Sequence, residues 1–117
     1  MQTHKDLEVW QMGMDLVENV YRITGAFPKE EMYGLAAQIR RSAISIPSNI
    51  AEGAARKGNA EFIQFLNISL GSLSKLETQI LIAKRLDYLK SDSILDHIAL
   101  LGKKLINLIK YHKTKQK

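Results

Sequence analysis

Four polar side chains, Arg41, Ser45, Asn49 and Glu52, follow one another at intervals of 4, 4 and 3 residues. That spacing lines them along one face of a helix. A guanidinium, a hydroxyl, an amide and a carboxylate on one face can do two kinds of work. They can form a hydrogen-bonded network that fixes helix register, or they can line a polar groove for a phosphate or an RNA edge. Glu52 can also pair with Arg56 at i, i+4. Glu77, further along, lies on the face of Leu70, close to an apolar stripe. The expected reading is a structural network of Arg41, Ser45, Asn49, Glu52 and Glu77. Removing one charge from such a buried pair costs on the order of 3–5 kcal/mol, so Glu52→Ala or Arg41→Ala is expected to destabilise the fold.

Other chemistries lack their residues. Histidine is confined to His4, His97 and His112. A di-iron bundle needs Glu-x-x-His pairs, and the residues three before these histidines are Met1, Ile94 and Ile109. Without cysteine there is no thiolate nucleophile, disulfide or thiolate metal site. The serines are scattered with no paired base. Gly53 and Gly58 have the first half of a P-loop spacing, but Asn59-Ala60 follows in place of Lys and Ser/Thr. No metal, cofactor, small-molecule substrate or enzymatic activity is expected.

Charge is the remaining chemical signal. The net charge is +5. Residues 103–117 hold six lysines and no acid, whereas residues 1–102 hold 11 basic and 12 acidic side chains. The basic character is therefore concentrated at the C-terminal end, which can attract phosphate backbones. A frayed lysine-rich terminus that only aids solubility is the alternative. If nucleic acid is bound, the candidate contacts are Arg40, Arg41, Arg56, Lys57, Lys103, Lys104, Lys110, Lys113, Lys115 and Lys117. Tyr111 could stack on a base, although a tyrosine at a helix end commonly has a structural role.

These residues must be carried by helices. The chain of 117 residues, 45% hydrophobic with two prolines and seven glycines, suits one packed core and lacks the turn signals of a sandwich or barrel. Residues 1–117 are expected to form a single domain with no internal repeat. Acidic residues interrupt the first twenty positions, so no secretory signal is expected. No run of about 18 apolar residues is present, so no membrane span is expected. A cysteine-free chain fits a reducing, cytoplasmic location.

Four segments show helical periodicity. In the first, about Lys5 to Ala26, Leu7, Trp10, Met14, Val17 and Tyr21 form a seam, with Val9, Leu16 and Ile23 as a second beside it. The second segment starts near Lys29, with Glu30 and Glu31 in a first turn that favours negative charge. Its stripe of Met32, Ala36, Ile39, Ala43, Ile46 and Ile50 keeps phase across Pro47. A kinked but continuous helix is therefore favoured over a break with Ser45 as a new cap. The third has Asn59 as expected N-cap and a stripe from Phe62 through Leu66, Ser69, Leu73, Leu76 and Ile80 to Ala83. Ser69, Gly71 and Ser72 mark a place for close backbone approach. The fourth has a capping-box-like Ser93–Asp96 pair, then two seams: Ile94, Ile98, Leu101, Leu105, Leu108, and Leu95, Ala99, Gly102, Ile106, Ile109.

The fold class that follows is all-α, an antiparallel up-down four-helix bundle with a proline kink in the second helix. Residues 113–117 are expected to be a mobile basic tail, since the seams end at Ile109. The doubled seams are either the wide stripe that any bundle helix needs or a second apolar surface for self-association.

The runs Phe27-Pro28-Lys29-Glu30-Glu31, Tyr33-Gly34-Leu35, Gln38-Ile39-Arg40-Arg41 and Ser45-Ile46-Pro47-Ser48-Asn49-Ile50-Ala51-Glu52-Gly53 resemble a family of small bacterial four-helix-bundle proteins. Some of these are encoded in intervening sequences of large-subunit ribosomal RNA genes, and they are often labelled ribosomal proteins. Glu61-Phe62, Phe65-Leu66, Leu70-Gly71-Ser72 and Leu76-Glu77-Thr78 extend the resemblance over residues 5–110. It implies a bundle with the proline in its second helix and a homopentameric ring around a central channel. A related branch is the accessory protein of diversity-generating retroelements, which partners a reverse transcriptase and binds nucleic acid through a basic surface. The slightly acidic residues 1–102 set this chain apart from that branch.

Two functions are compatible with these features. One is a non-enzymatic, oligomeric nucleic-acid-binding or adaptor protein, for RNA, acting by charge and shape. The other is a protein-interaction scaffold without nucleic-acid binding.

Overall fold

The computed structural model describes residues 3–115. They form four helices, α1 (Glu8–Thr24), α2 (Leu35–Ala54), α3 (Asn59–Arg85) and α4 (Ser93–Thr114), with short 3₁₀ turns at His4–Asp6 and Lys29–Glu31 and no strand among the described residues. Each helix packs on two others in the cyclic order α1, α2, α3, α4, and the diagonal pairs do not meet. The rod measures 49 × 20 × 20 Å. Among the described residues, no helix is long and apolar enough to cross a membrane.

The core stripe of α1 is Val9, Gly13, Leu16, Val20 and Thr24. Val9 and Leu16 come from the second of the two seams, while the first lies on the flank, with Met14 and Tyr21 exposed. Glycine and threonine hide this stripe from a reading of apolar spacing. Gly13 is there because of Pro47: a Cβ on Gly13 would lie 3.3 Å from the proline Cβ. The α2 helix runs unbroken through Pro47, as the retained phase requires, and buries Ala36, Ile39, Ala43, Ile46, Pro47 and Ile50.

Helix α2 begins at Leu35, later than Glu30 and Glu31 suggest. The 3₁₀ turn holding these acids precedes it, and Glu31 caps the helix from outside: its Oε1 accepts the Leu35 N–H at 3.2 Å. Tyr88 Oη donates to the other carboxylate oxygen at 2.9 Å, tying the α1–α2 and α3–α4 connections together.

Two expectations for α3 change. Gly58 occupies the N-cap, because the Asn59 side chain is engaged with His112. Close approach occurs at Gly53, where a Cβ would lie 2.6 Å from Phe65 Cβ, and not at Gly71, which faces open space. Ser69 does hold the α2 backbone, donating to Ile46 O at 2.9 Å.

Helix α3 ends in a Schellman pattern. Tyr88 N–H reaches Ala83 O and Asp87 N–H reaches Lys84 O, each at 3.0 Å. Asp87 takes the left-handed φ of 62°. At the start of α4 the Ser93–Asp96 box does not form. Ser91 Oγ accepts the Ser93 N–H at 3.2 Å, and Lys84 pairs with Asp92. Helix α4 runs past Ile109 to Thr114, so Lys113 is helical rather than part of a loose tail. Lys115 lies 4.6 Å over the Tyr111 ring. Lys117 lies outside the described residues.

Candidate nucleic-acid interface

One end of the bundle gathers positive charge. Asn59 Nδ2 donates to His112 O at 2.6 Å, and Asn59 Oδ1 lies 2.7 Å from His112 Nδ1. This clasp fixes the start of α3 to the last turn of α4. It brings the Arg56-Lys57 loop to the end that carries Lys110, Lys113 and Lys115. A cleft of about 470 Å³ opens there, lined by His4, Arg56, Lys57, Asn59, Phe62 and His112 among others. Arg56 is partly neutralised, 2.8 Å from Glu52 and 3.7 Å from Glu61, and it lies 5.0 Å over the Phe65 ring. Lys57, Lys110 and Lys113 are exposed with no carboxylate in salt-bridge range among the described residues. The His112 ring sits edge-on to Phe62, centroids 4.8 Å apart. Burial and then the nearby Lys115 charge lower its pKa below the usual histidine value.

The polar face of α2 resolves differently from the expected network. Its core is small: Asn49 Nδ2 donates to Ser45 O and Oγ at 2.8 and 2.9 Å, and Ser45 Oγ meets Ser72 Oγ at 2.8 Å. Arg41, Glu52 and Glu77 are exposed and stand outside it. Glu52 pairs with Arg56 at the surface, where such a pair contributes about 0–1 kcal/mol. Glu77 lies on the opposite flank of α3, beside Ser74 and Ala99. The destabilisation expected of Glu52→Ala and Arg41→Ala therefore does not follow. The cause is geometric: the face runs along the margin of α2, and α3 covers only its middle.

Arg41 and Ser45 instead line an α2–α3 groove of about 400 Å³ with Gln38, Ser42, Ser72, Lys75 and Gln79. In the sequence Ser72 stands out only as a place of close backbone approach, and Lys75 and Gln79 do not stand out at all. Their spacing of 3 and 4 puts them on one helical face, but nothing local says that this face meets Arg41.

The remaining cations are dispersed. Arg40 Nε donates to Thr24 Oγ1 at 2.8 Å and its guanidinium lies 4.5 Å over Tyr21, so it clamps α1 to α2. Lys104 pairs with Glu8 at 3.1 Å, while Lys103 is exposed on α4 away from the end. Arg41 stands roughly 20 Å from the Ala54 end of α2 at 1.5 Å per residue, so it does not join the Arg56-Lys57 loop. No group of three or more His, Cys, Asp or Glu capable of holding a metal occurs among the described residues.

Apolar side chains are left uncovered on two sides. Trp10, Met14, Val17, Ile44, Pro47 and Ala51 line a hollow of about 360 Å³ between α1 and α2. Leu70, Leu73, Ile98, Ala99 and Gly102, with Ser74 and Glu77 beside them, line one of about 130 Å³ between α3 and α4. The cyclic helix order puts these two faces on opposite sides of the rod.

Residues 5–110 match the profile of the 23S rRNA-intervening sequence protein family. No curated protein matches. Among solved structures, the fold is similar to that of a protein with unknown function from the S23 ribosomal protein family of Bacteroides thetaiotaomicron. The TM-score is 0.81 at 26% identity, over 87% of this chain and 95% of that one.

Proposed function

Since the chain belongs to the 23S rRNA-intervening sequence protein family, we propose that it is a non-enzymatic, oligomeric RNA-binding or adaptor protein of the bacterial cytoplasm. The observation that carries this reading is the Asn59–His112 clasp, which joins Lys57 to the uncompensated lysines of α4. Lys57, distant in sequence from Lys110 and Lys113, then shares one end of the molecule with them, where the three can contact phosphates without reading bases. In this reading the bundle is antiparallel and up-down, and α2 bends at Pro47.

The two opposite apolar faces favour self-association. A hollow on one side and a different apolar strip on the other form a heterologous pair, and heterologous contacts that close make rings. Five copies is the number that the family resemblance implies. In such a ring five basic ends act together, so individually weak phosphate contacts add through effective concentration. A reverse transcriptase is a further partner to test by pull-down.

A filter-binding titration at several salt concentrations tests the RNA reading. Removing residues 113–117 should weaken binding to a single-stranded RNA. It should also flatten the slope of log K against log salt by about 0.7 for each phosphate no longer neutralised. The melting temperature should be unchanged, because the His112 clasp remains. Absence of RNA binding at about 150 mM salt, or binding insensitive to the truncation, would leave the scaffold reading in its place.

A further inference from the structure

We propose that the α2–α3 groove is a binding site for a phosphorylated ribose, and that it is where the protein tells RNA from DNA. The groove is separate from the basic end. The proposal deepens the RNA reading without depending on that end.

Arg41 projects from α2 and Lys75 from α3, and both line the groove. Neither has a carboxylate within salt-bridge distance among the described residues, and no acidic side chain lines the groove. Two exposed cations on facing helices offer an anion a contact from each side. An arginine fork suits the paired oxygens of a phosphate.

The rest of the lining says what accompanies the anion. It consists of the hydroxyls of Ser42, Ser45 and Ser72 and the amides of Gln38 and Gln79. No aromatic or aliphatic side chain contributes. A nucleobase is held by stacking on such side chains, so this groove suits a sugar and its phosphate and leaves the base outside. Its volume of about 400 Å³ falls within the ~300–1,000 Å³ range of small-ligand sites.

Gln79 supplies the decisive feature. Its Oε1 is buried and has no hydrogen-bond partner among the described residues. Buried polar atoms in native proteins are almost always paired. A phosphodiester has no proton to donate to this oxygen, whereas a ribose hydroxyl does. The hydroxyl both donates and accepts, so it satisfies the Gln79 amide whichever way the amide is turned. One ligand thus accounts for the two cations, the hydroxyl-lined floor and the orphaned amide: a phosphate with a ribose hydroxyl beside it. Deoxyribose lacks the 2′-hydroxyl, which is the group that separates the two nucleic acids at a protein site.

Fluorescence anisotropy with a labelled ten-nucleotide oligouridylate and its 2′-deoxy counterpart tests this. The unmodified protein should bind the RNA roughly 3- to 10-fold more tightly, the worth of one hydrogen bond. Gln79→Leu should erase that ratio with little change in DNA affinity. Its melting temperature should be equal or higher, since an unpaired buried amide is removed. Arg41→Ala with Lys75→Ala should weaken both oligonucleotides and flatten the salt slope. Removing residues 113–117 should weaken both equally and keep the ratio, so failure at the basic end and failure at the groove are distinguishable. Uridine 5′-monophosphate, followed by chemical-shift changes at Ser72 and Gln79, separates the sources. Shifts at millimolar concentration support a free ribose phosphate as ligand. Their absence, with the oligonucleotide ratio intact, supports a polymer. Equal affinity for RNA and DNA in the unmodified protein together with no shift by the mononucleotide, or a ratio unchanged in Gln79→Leu, overturns the proposal.

Discussion

His112 shows how a single residue can serve the fold and report on it. Its ring is held by Asn59, packed edge-on to Phe62 and near Lys115 on its own helix, with His4, Arg56 and Lys57 lining the same cleft. Burial, first, and then the Lys115 charge disfavour an added proton. The folded-state pKa is therefore below the unfolded value of about 6.5. The unfolded chain binds more protons in that interval, so stability is complete above about pH 6.5 and declines as the pH falls through the lowered folded pKa. Thermal melts between pH 7.5 and 5 should show a loss that is smaller in His112→Gln. An identical pH dependence in the two proteins would place the titration elsewhere. None of this was legible in the sequence, because Asn59 and His112 are 53 positions apart and each has an ordinary local role, as a cap and as a helix-end cation. Arg41 was legible as a polar groove residue. Its companions Lys75 and Gln79 were not, since their meaning depends on which face α3 turns toward α2.

At the scale of elements, the helices were legible because most of their core positions are apolar and recur at helical spacing. The errors fall where packing uses residues without apolar side chains. Gly13 and Thr24 belong to the α1 stripe but add nothing to a hydrophobic pattern. Gly53 is the sharpest case, buried within α2 where α3 presents Phe62 and Phe65. Replacing a helical glycine by alanine normally gains roughly 1 kcal/mol in propensity. Here the new Cβ would meet Phe65 Cβ at 2.6 Å, close to the α3 backbone and unable to swing aside. Overpacking of this kind costs about 1–3 kcal/mol, so Gly53→Ala is expected to destabilise despite the propensity gain. Gly71→Ala, with open space around it, should stabilise. Urea denaturation of the pair gives opposite signs if the α2–α3 crossing is as tight as these distances indicate.

For the whole molecule, the question is how the two uncovered apolar faces are satisfied. Exposed apolar residues are common, but contiguous ones on a small protein mark interaction surfaces. An isologous dimer would pair one face with itself and leave the other in water. A heterologous arrangement, the α1–α2 hollow of one copy against the α3–α4 strip of the next, covers both in every copy once the ring closes. The two arrangements differ in what a charge on each face does. Met14→Glu alters only the first face and Ala99→Glu only the second, and both positions are exposed, so the fold should tolerate either change. In a head-to-tail ring, every interface of either variant alone would include one charged face, so each should run near the monomer mass of 13.2 kDa in sedimentation. Mixed together, the variants retain one intact first face and one intact second face, and those two can still meet. The mixture should therefore form a species of two chains and go no further, while the unmodified protein should sediment at several times the monomer mass. If one variant alone kept the full assembly, that face would lie outside the interface. A mixture that stayed monomeric would rule out the head-to-tail pairing, whereas an isologous interface would leave one of the two variants fully assembled on its own.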